Sequence, residues 1–503
     1  MTAPVTVPKT PYAKLEQRFK RLNLVRESAE VLQWDTETLM PLGGNDVRAE
    51  QLATLRVLAH QMLTDPALAD LMVAAEAEPG LDVWQKANLR KMAHEWRHAN
   101  CLPADLVEAR SRAISEAEMR WRKARPANDF RGLLPYLKRI IDLTREVARI
   151  KAEAFGRTPY DTLLDSFEPG GHAADIAKLF DELAAFLPGF IDAAIEAQAR
   201  RPAILPLSGP FPAAKQEGLA RRLMGAVGFD FNHGRLDTSA HPFCGGVPDD
   251  IRITTRWNEA DFTHGLMGVL HETGHAMYER GLPPAWRHQP VGGALSMSLH
   301  ESQSLLVEMQ ASRSREFIEF LAPLAAEAFG GSGPAWTADN LHRIYSKVER
   351  GFIRVDADEA TYPAHVILRF RLETALLADD LRLEDLPGAW NEGMKALVGI
   401  VPPDDRQGCL QDPHWTGGAF GYFPTYTLGA MTAAQLFDAA RRAVPAIPAA
   451  LRRGDFAPLM AWLRENVHGK GSLLTGPELL TAATGRPLDP EVYKRHLRQR
   501  YLG

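Results

Sequence analysis

The segment that most constrains this chain is His271-Glu272-Thr273-Gly274-His275, which lies near the end of a helical pattern. Two histidines four residues apart on a helix lie about one turn apart on the same face, so both imidazoles can converge on one ion. Glu272 can then reach a water on that ion without being a ligand itself. The pattern indicates a zinc-peptidase helix, and two histidines with purely structural roles remain the alternative.

The neighbouring residues favour a helix around this segment. Asp261 or Thr263 is placed to cap its start, and Gly281 followed by Pro283 and Pro284 would end it. The apolar positions of this stretch recur at helical spacing, and they are Leu266, Met267, Val269, Leu270 and Met277.

A catalytic zinc needs a third protein ligand and one open position. After a turn-rich loop from residue 282 to 293, a second helical pattern carries His300-Glu301-Ser302-Gln303. A helix returning antiparallel to the first would bring Glu301 beside His271 and His275. Two histidines and one glutamate are the ligand set of thermolysin-like peptidases. An ordinary solvated glutamate is the alternative for Glu301.

Further motifs accompany these two segments. They are WDTETLMP (34–41), LLDSFEPG (163–170), HPF (241–243), DIRIT (250–254), IRVDAD (353–358) and GCLQDPHW (408–415). With HETGH and HESQ, they make the chain resemble the carboxypeptidase Taq family of metallocarboxypeptidases. These glutamate-ligand zincins are distantly similar in fold to angiotensin-converting enzyme and neurolysin. The resemblance runs from Tyr12 to Tyr501.

The resemblance implies a mainly α fold, a single large helical globule with a deep active-site groove and a small β-sheet beside the zinc helix. We expect one peptidase domain over 1–503, with 1–200 forming one groove wall and 201–503 binding zinc. The residues agree, because apolar positions three and four apart recur almost throughout 12–200. Strand-like alternation is confined to 236–257, chiefly Ile251 to Thr255. A further helix is predicted over 339–351.

Composition excludes several classes of protein. A formal net charge of -5 offers no electrostatic footprint for nucleic acid or an anionic membrane. The amino terminus shows no secretory signal, and the most apolar run, 179–197, is interrupted by acidic residues and predicts a core helix. Three scattered cysteines fit a reducing cytoplasm. Cys244 and Cys409 lie near site motifs, and small buried residues are the favoured interpretation over thiolate ligands.

The motifs also supply candidates for binding substrate. An enzyme that removes carboxy-terminal residues must recognise a free carboxylate, which the planar fork of arginine binds bidentately. Arg354 is predicted to do this, with Arg252 in reserve, and a structural pair of Arg354 with Asp356 or Asp358 is the alternative. By resemblance, His241 and Arg252 help shape the closed end of the groove, and a local Asp250–Arg252 pair is equally open.

A polar cluster near 408–426 suits transition-state hydrogen bonding. By resemblance, His414 and either Tyr422 or Tyr426 stabilise the oxyanion, and a buried hydrogen-bonded tyrosine pair is the alternative. The chain departs from the family at Val307 and Ala311, where a tryptophan and a glycine are frequent. Leu305 stands where thermolysin-like enzymes often place an acid that orients a zinc histidine. Glu308 and Asp358 are therefore both open for that task.

Together these residues predict a zinc metallocarboxypeptidase that removes the carboxy-terminal residue from peptides with broad specificity. Zinc-bound water is the nucleophile and Glu272 the general base. The resemblance implies Zn²⁺, replaceable by Co²⁺, and a homodimer in the cytoplasm. Two alternatives stay open. One is a zinc oligopeptidase or dipeptidyl carboxypeptidase with the same metal core, and the other is a non-catalytic helical peptide-binding protein.

Overall fold

Helices make up nearly all of the regular structure, and the computed structural model describes residues 10–503. The helices before the sheet are α1 (Pro11–Thr38), α2 (Asn45–Leu63), α3 (Ala67–Glu76), α4 (Val83–Asn100), α5 (Ala104–Ala124), α6 (Phe130–Phe155), α7 (Pro159–Leu164), α8 (Ala173–Ala199) and α9 (Ala213–Val227). The predicted helical run over 12–200 and the core helix at 179–197 are therefore confirmed. No helix within the described range is both long and apolar enough to cross a bilayer.

A small sheet precedes the zinc-motif helix, as the alternating residues indicate. Its strands are β1 (Gly234–Thr238), β2 (Phe243–Val247) and β3 (Asp250–Thr255). Their order is β1-β3-β2, with β1 parallel and β2 antiparallel to β3. The DIRIT motif is thus the central strand. Both sides of β3 are paired, so only β1 and β2 present a free edge.

The remaining helices follow the sheet. They are α10 (Phe262–Gly281), α11 (Met297–Leu305), α12 (Arg315–Phe329), α13 (Ala338–Tyr345), α14 (Tyr362–Ala378), α15 (Leu386–Leu397), α16 (Pro424–Ala443), α17 (Ile447–Leu451), α18 (Ala457–Asn466), α19 (Gly476–Thr484) and α20 (Pro490–Tyr501). A π-helical turn, Leu306–Ser312, continues α11. The helix predicted over 339–351 was too long, because α13 ends at Tyr345 and the chain then runs without regular structure into the turn at Arg354.

Three apolar clusters hold these helices together. One surrounds α10 and includes residues of α9, α11, α12, α16 and α18. A second joins α5, α6 and α8 to α14, α15, α16 and α20. A third, smaller cluster belongs to α1–α4 alone. Helix α16 contributes to the first two clusters, so it ties the zinc-motif helices to the rest of the core.

Helix α1 also reaches the sheet beside α10. The Trp34 side chain is 2% exposed, and the guanidinium groups of Arg235 and Arg252 lie 4.9 and 4.3 Å from its ring centroid. Trp34 is therefore an anchor between α1 and the sheet.

Candidate active site

Helix α10 forms where the sequence predicts it. The Asp261 carboxylate accepts hydrogen bonds from the Thr263 amide at 2.8 Å and the Thr263 hydroxyl at 2.6 Å, which confirms Asp261 as the cap. The apolar positions of the helix are buried, whereas His271 and His275 are only partly covered. The packing of the apolar face thus fixes which face presents the two histidines.

Two glycines allow three helices to meet at this face. A Cβ on Gly274, inside HETGH, would lie 2.5 Å from the Gln303 carbonyl oxygen of α11. A Cβ on Gly429 of α16 would lie 2.9 Å from Cγ of Glu301. Both distances are shorter than any side chain tolerates, so these positions need glycine for close helix approach. The HETGH motif was interpreted without a role for Gly274, and Gly429 was assigned no role from the sequence, so sequence reasoning missed this requirement.

The three predicted ligands come together. The Glu301 carboxylate oxygen Oε2 lies 3.7 Å from Nε2 of His271 and 3.5 Å from Nε2 of His275. One donor atom from each residue lies within 4.8 Å of the others. Ligands about 2.1 Å from a tetrahedral zinc are roughly 3.4 Å apart, so the donor set fits such an ion. Burial opposes ionisation, but His271 and His275 lower the pKa of Glu301 to about 2.

Each histidine is oriented by a partner at its other nitrogen. Nδ1 of His271 lies 2.9 Å from a Glu308 oxygen, and Arg313 donates to the other oxygen of that carboxylate. Asp358 instead accepts from the amides of Glu349, Ala360 and Thr361. Of the two carboxylates left open by the sequence, Glu308 is therefore the one in contact with a zinc-motif histidine.

His300 provides the partner of His275, and sequence reasoning missed it. Nδ1 of His275 lies 3.1 Å from the His300 carbonyl oxygen and 2.6 Å from Nδ1 of His300. Nε2 of His300 lies 2.8 Å from a Glu279 carboxylate oxygen. If His300 donates to Glu279, its Nδ1 accepts from His275, and Nε2 of His275 keeps its lone pair for a metal.

Glu272 differs from its neighbours because its carboxylate forms no ion pair within the described chain. Its side chain is buried, at 8% exposure, and no described residue hydrogen bonds to its carboxylate. Burial raises its pKa to about 7, against the attraction of His271. A carboxyl group with a pKa near neutrality can exchange protons at working pH.

Arg354 lies in a buried polar cluster. Its Nε and Nη2 donate to one Asp412 oxygen at 3.1 and 2.9 Å, and its Nη1 donates to the Tyr362 hydroxyl at 2.6 Å. The alternative, a structural pair with Asp356 or Asp358, is wrong, because Asp358 is occupied by backbone amides and Asp356 is exposed. These three bonds leave two of the five guanidinium N–H groups without a partner.

The aromatic candidates adjoin Arg354. Its guanidinium lies 4.9 Å from the Tyr426 ring centroid, and the Tyr426 hydroxyl lies 3.2 Å from Nε2 of His414. The Tyr422 and Tyr426 ring centroids are 5.3 Å apart. Burial, with repulsion from Arg354, lowers the pKa of His414 to about 4, so its imidazole is neutral near pH 7. Tyr362 and Asp412 complete this group, and sequence reasoning assigned them no role.

The other two substrate-binding candidates lie in the sheet region. Arg252 donates to both Asp250 oxygens at 3.0 and 2.7 Å, which is the local pair that the sequence left open. His241 is exposed, and its carbonyl oxygen accepts from the Ser239 hydroxyl at 2.6 Å. Neither residue contacts the Arg354 cluster through a hydrogen bond or ion pair in the described part of the chain.

The 163–170 motif positions the start of α11. The Glu168 carboxylate accepts from the Ser298 amide at 2.6 Å and the Ser298 hydroxyl at 2.7 Å. The Phe167 carbonyl oxygen accepts from the Met297 amide at 2.9 Å. Glu301 is one turn further along this helix, so the motif fixes the residue that completes the ligand set.

Comparison with known proteins agrees with this site. The sequence profile of the carboxypeptidase Taq (M32) metallopeptidase family matches residues 14–501. The chain is 38% identical to thermostable carboxypeptidase 1 of Thermus thermophilus, over 98% of this chain and 99% of that protein. The chain belongs to the carboxypeptidase Taq (M32) family. It is accordingly a metallocarboxypeptidase.

Solved structures of the family share the fold. Metallocarboxypeptidase 1 of Trypanosoma cruzi has a TM-score of 0.96 at 43% identity, covering 98% of this chain and 99% of that chain. The M32 carboxypeptidase of Deinococcus radiodurans has a TM-score of 0.93 at 36% identity, with the same coverage. The predicted mainly α family fold is therefore confirmed.

Proposed function

We propose that this metallocarboxypeptidase binds Zn²⁺ through His271, His275 and Glu301 and removes single carboxy-terminal residues from peptides with broad specificity. The observation that carries the proposal is the position of Glu301, within 3.7 Å of the ligating nitrogens of both histidines. Two imidazoles and one carboxylate suit zinc and leave room for a fourth ligand. Co²⁺ accepts the same donors and should replace it.

The bound ion supplies Lewis acidity at the scissile carbonyl and lowers the pKa of water. The chain supplies the proton transfers. Glu272 adjoins a ligand in the sequence, is buried, and has no cation holding its carboxylate in one state. It can accept a proton from the attacking water and return it to the leaving amine.

Arg354 is proposed to hold the terminal carboxylate of the peptide. Asp412 and Tyr362 fix the guanidinium, and its two unused N–H groups remain for a ligand. A fixed cation at this point selects the last residue of a peptide, which the metal alone cannot do. His414, Tyr426 and Tyr422 are the proposed donors to the developing oxyanion. Burial raises the pKa of both tyrosines, so both keep their protons at neutral pH.

The cellular location, the oligomeric state and the roles of two further residues are proposed from the sequence and from the family resemblance. The three cysteines are free in the structure, which supports a reducing cytoplasm. A homodimer is carried over from the family resemblance. His241 and Arg252 are proposed to shape the groove at the sheet, where Arg252 stacks on Trp34.

Arg354 gives the decisive test of this function. We expect Arg354→Ala to lower kcat/KM on a free-acid peptide about a hundredfold or more, since an unpaired buried carboxylate costs roughly 3–5 kcal/mol. Lysine should restore only part of the rate, because a point charge lacks the bidentate fork. Arg442→Ala is the matched control, because Arg442 is exposed and pairs with Asp438, and it should change the rate far less. Products are to be sized by mass spectrometry.

An amidated peptide separates the proposal from its nearest alternative. The intact enzyme should cut it slowly, and Arg354→Ala should change that rate little. Equal cutting of amidated and free-acid peptides would instead favour the oligopeptidase alternative. If only the free acid is cut and Arg354→Ala leaves that rate alone, the carboxylate is held elsewhere, with Arg252 next to test.

A further inference from the structure

A second polar cavity lies between α12, α13, α16 and α20. Its volume is about 480 Å³, which is within the range of small-molecule sites. Arginines dominate its lining, and they are Arg201, Arg315, Arg343, Arg441 and Arg500. Only two side-chain carboxylates, Glu316 and Asp339, line it as well. The arginines therefore outnumber the side-chain carboxylates of the lining, and of these two carboxylates Asp339 already pairs with Arg315, whereas Glu316 has no ion pair within residues 10–503.

Three of the arginines already have partners. Arg315 pairs with Asp339 and Glu319, and Arg500 pairs with Glu359 at 2.8 Å. Arg201 donates to the carbonyl oxygens of Tyr501 and Gly503, at 2.9 and 3.2 Å.

Arg343 and Arg441 are not neutralised. Neither has an ion pair among residues 10–503. The side chain of Arg343 makes a single 3.5 Å contact with the Asn340 amide oxygen, and its buried Nε has no partner. Arg441 has no side-chain hydrogen bond within the described chain and only stacks on Phe437, 5.6 Å from the ring centroid. Two guanidinium groups in this cavity thus retain unused donors.

His342, which also lines the cavity, indicates the local electric field. Burial lowers the pKa of His342 to about 4, and repulsion by Arg500, Arg315 and Arg201 adds to the effect. Asp339 acts in the opposite direction without reversing it. The positive groups are therefore close enough to disfavour a further cation, and the same field favours an anion.

We propose that this cavity binds a phosphate group, through Arg343 and Arg441. A phosphate offers several acceptor oxygens to the unused N–H donors, and its double negative charge matches two unpaired guanidiniums. The group that binds is a phosphate dianion, which is either free phosphate or part of a phosphorylated metabolite. This proposal stands independently of the proposed function.

The cavity is connected to the zinc-motif helices. Arg500 donates to the carbonyl oxygens of Met309 and Gln310, at 2.5 and 3.3 Å. Both belong to the π-helical turn that also contains Glu308, the partner of His271. Gln310 also lines the cavity, so Arg500 connects the cavity wall to the turn that contains the partner of His271.

Calorimetric titration of the zinc-loaded, full-length protein with inorganic phosphate at constant ionic strength tests the proposal. We expect saturable binding that Arg343→Gln and Arg441→Gln each weaken about tenfold or more, with partial recovery in Arg441→Lys. Arg442→Gln is the matched control, because Arg442 adjoins Arg441 but pairs with Asp438 and does not line the cavity. It should change the Kd less than twofold. Circular dichroism checks that each variant is folded.

The active site is the competing anion site, so Arg354→Ala is titrated in parallel. Phosphate binding that is lost in Arg354→Ala and kept in Arg343→Gln and Arg441→Gln would overturn the proposal, as would no saturable binding. A nucleoside triphosphate is then compared with phosphate. Tighter binding of the triphosphate, still dependent on Arg343 and Arg441, identifies a phosphorylated metabolite as the source, whereas equal binding identifies free phosphate.

Discussion

The chain contains two histidine pairs with the same spacing and the same intervening glutamate, and only one has the surroundings of a catalytic metal site. His94-Glu95-Trp96-Arg97-His98 lies on α4, and His271-Glu272-Thr273-Gly274-His275 lies on α10. Each pair also meets one carboxylate, Asp165 in the first and Glu301 in the second. The difference between them is in what surrounds these three residues.

Cations occupy the cluster on α4. Asp165 accepts from Arg157 and from the Gly170 amide, while His94 and His98 lie 2.6 and 2.9 Å from its other oxygen. Those are hydrogen-bond distances, shorter than the spacing of roughly 3.4 Å between two ligands of one zinc. Lys151 lies 3.0 Å from Nδ1 of His98, which directs the His98 proton to Nε2, where a metal would need a lone pair.

The cluster on α10 has the opposite arrangement. Nδ1 of each histidine faces an acceptor, so each Nε2 is available to a metal. The intervening glutamates differ too, because Glu95 pairs with Arg26 at 2.7 Å and Glu272 has no cation. In this chain the two histidine pairs therefore differ in whether the proton at the ring nitrogen away from the carboxylate has an acceptor.

The largest expected contrast is between the two glutamates. Glu272→Gln should keep zinc but lose several orders of magnitude in kcat, because ligation survives and proton transfer does not. Glu95→Gln removes one partly exposed ion pair, worth about 0–1 kcal/mol, and should leave kcat within twofold. Steady-state kinetics on a free-acid peptide, with zinc content measured in parallel, gives both values. Near-native turnover in Glu272→Gln would remove this residue from the mechanism.

The residue before the second histidine gives the next contrast. Gly274 allows α10 to approach α11, whereas Arg97 at the same motif position is exposed. Gly274→Ala should destabilise the protein by about 1–3 kcal/mol through overpacking against backbone. Gly268 is the matched control on α10, because a Cβ there meets nothing within 4 Å. Gly268→Ala should be neutral or stabilise by up to about 1 kcal/mol in denaturant unfolding. Equal changes in the free energy of unfolding for the two variants would contradict the close approach of α10 to α11.

The smallest expected effect concerns the dependence of stability on pH at the cluster on α4. Burial opposes ionisation of Asp165, but hydrogen bonds from His94, His98 and Gly170 hold its pKa well below the ordinary 3.8. A depressed carboxyl pKa contributes stability above the unfolded-state value, and that contribution is lost as pH falls below it. Asp165→Asn should therefore be less stable than the intact protein at neutral pH, by about 2 kcal/mol, and the gap should narrow below pH of about 4. Denaturant unfolding of both proteins at several pH values measures this difference in stability. A difference that stays constant with pH would show that ionisation of Asp165 does not contribute to stability.

Much of the fold was predictable because helical periodicity is strong and local. The bounds of α10, its Asp261 cap and the small sheet were all predicted from short segments. The length of α13 was not, because no glycine or proline marks its end at Tyr345, and the Val348 amide just beyond it donates to the distant Gln198 side chain. Likewise the central position of β3 depends on a pairing with β1 that local patterns do not show.

The candidate site was likewise predictable only where its residues lie close together in the sequence. Residues related by helical spacing, such as His271 and His275, could be assigned from the sequence. Partners far apart in the chain could not, and Asp412 is 58 residues from Arg354. Proximity in sequence therefore suggested only Asp356 and Asp358 as alternative partners of Arg354, and neither is its partner. The pair on α4 was also overlooked, although its spacing is visible in the sequence, and only Lys151 and Arg157 show why it differs.

Locating the metal tests the central claim most directly. An anomalous difference map at the zinc edge, from crystals of the zinc-loaded protein, should show one strong peak between His271, His275 and Glu301. It should show none between His94, His98 and Asp165. Crystals of Glu301→Ala should lose or weaken the peak. A peak at the cluster on α4, or none at the cluster on α10, would contradict the account.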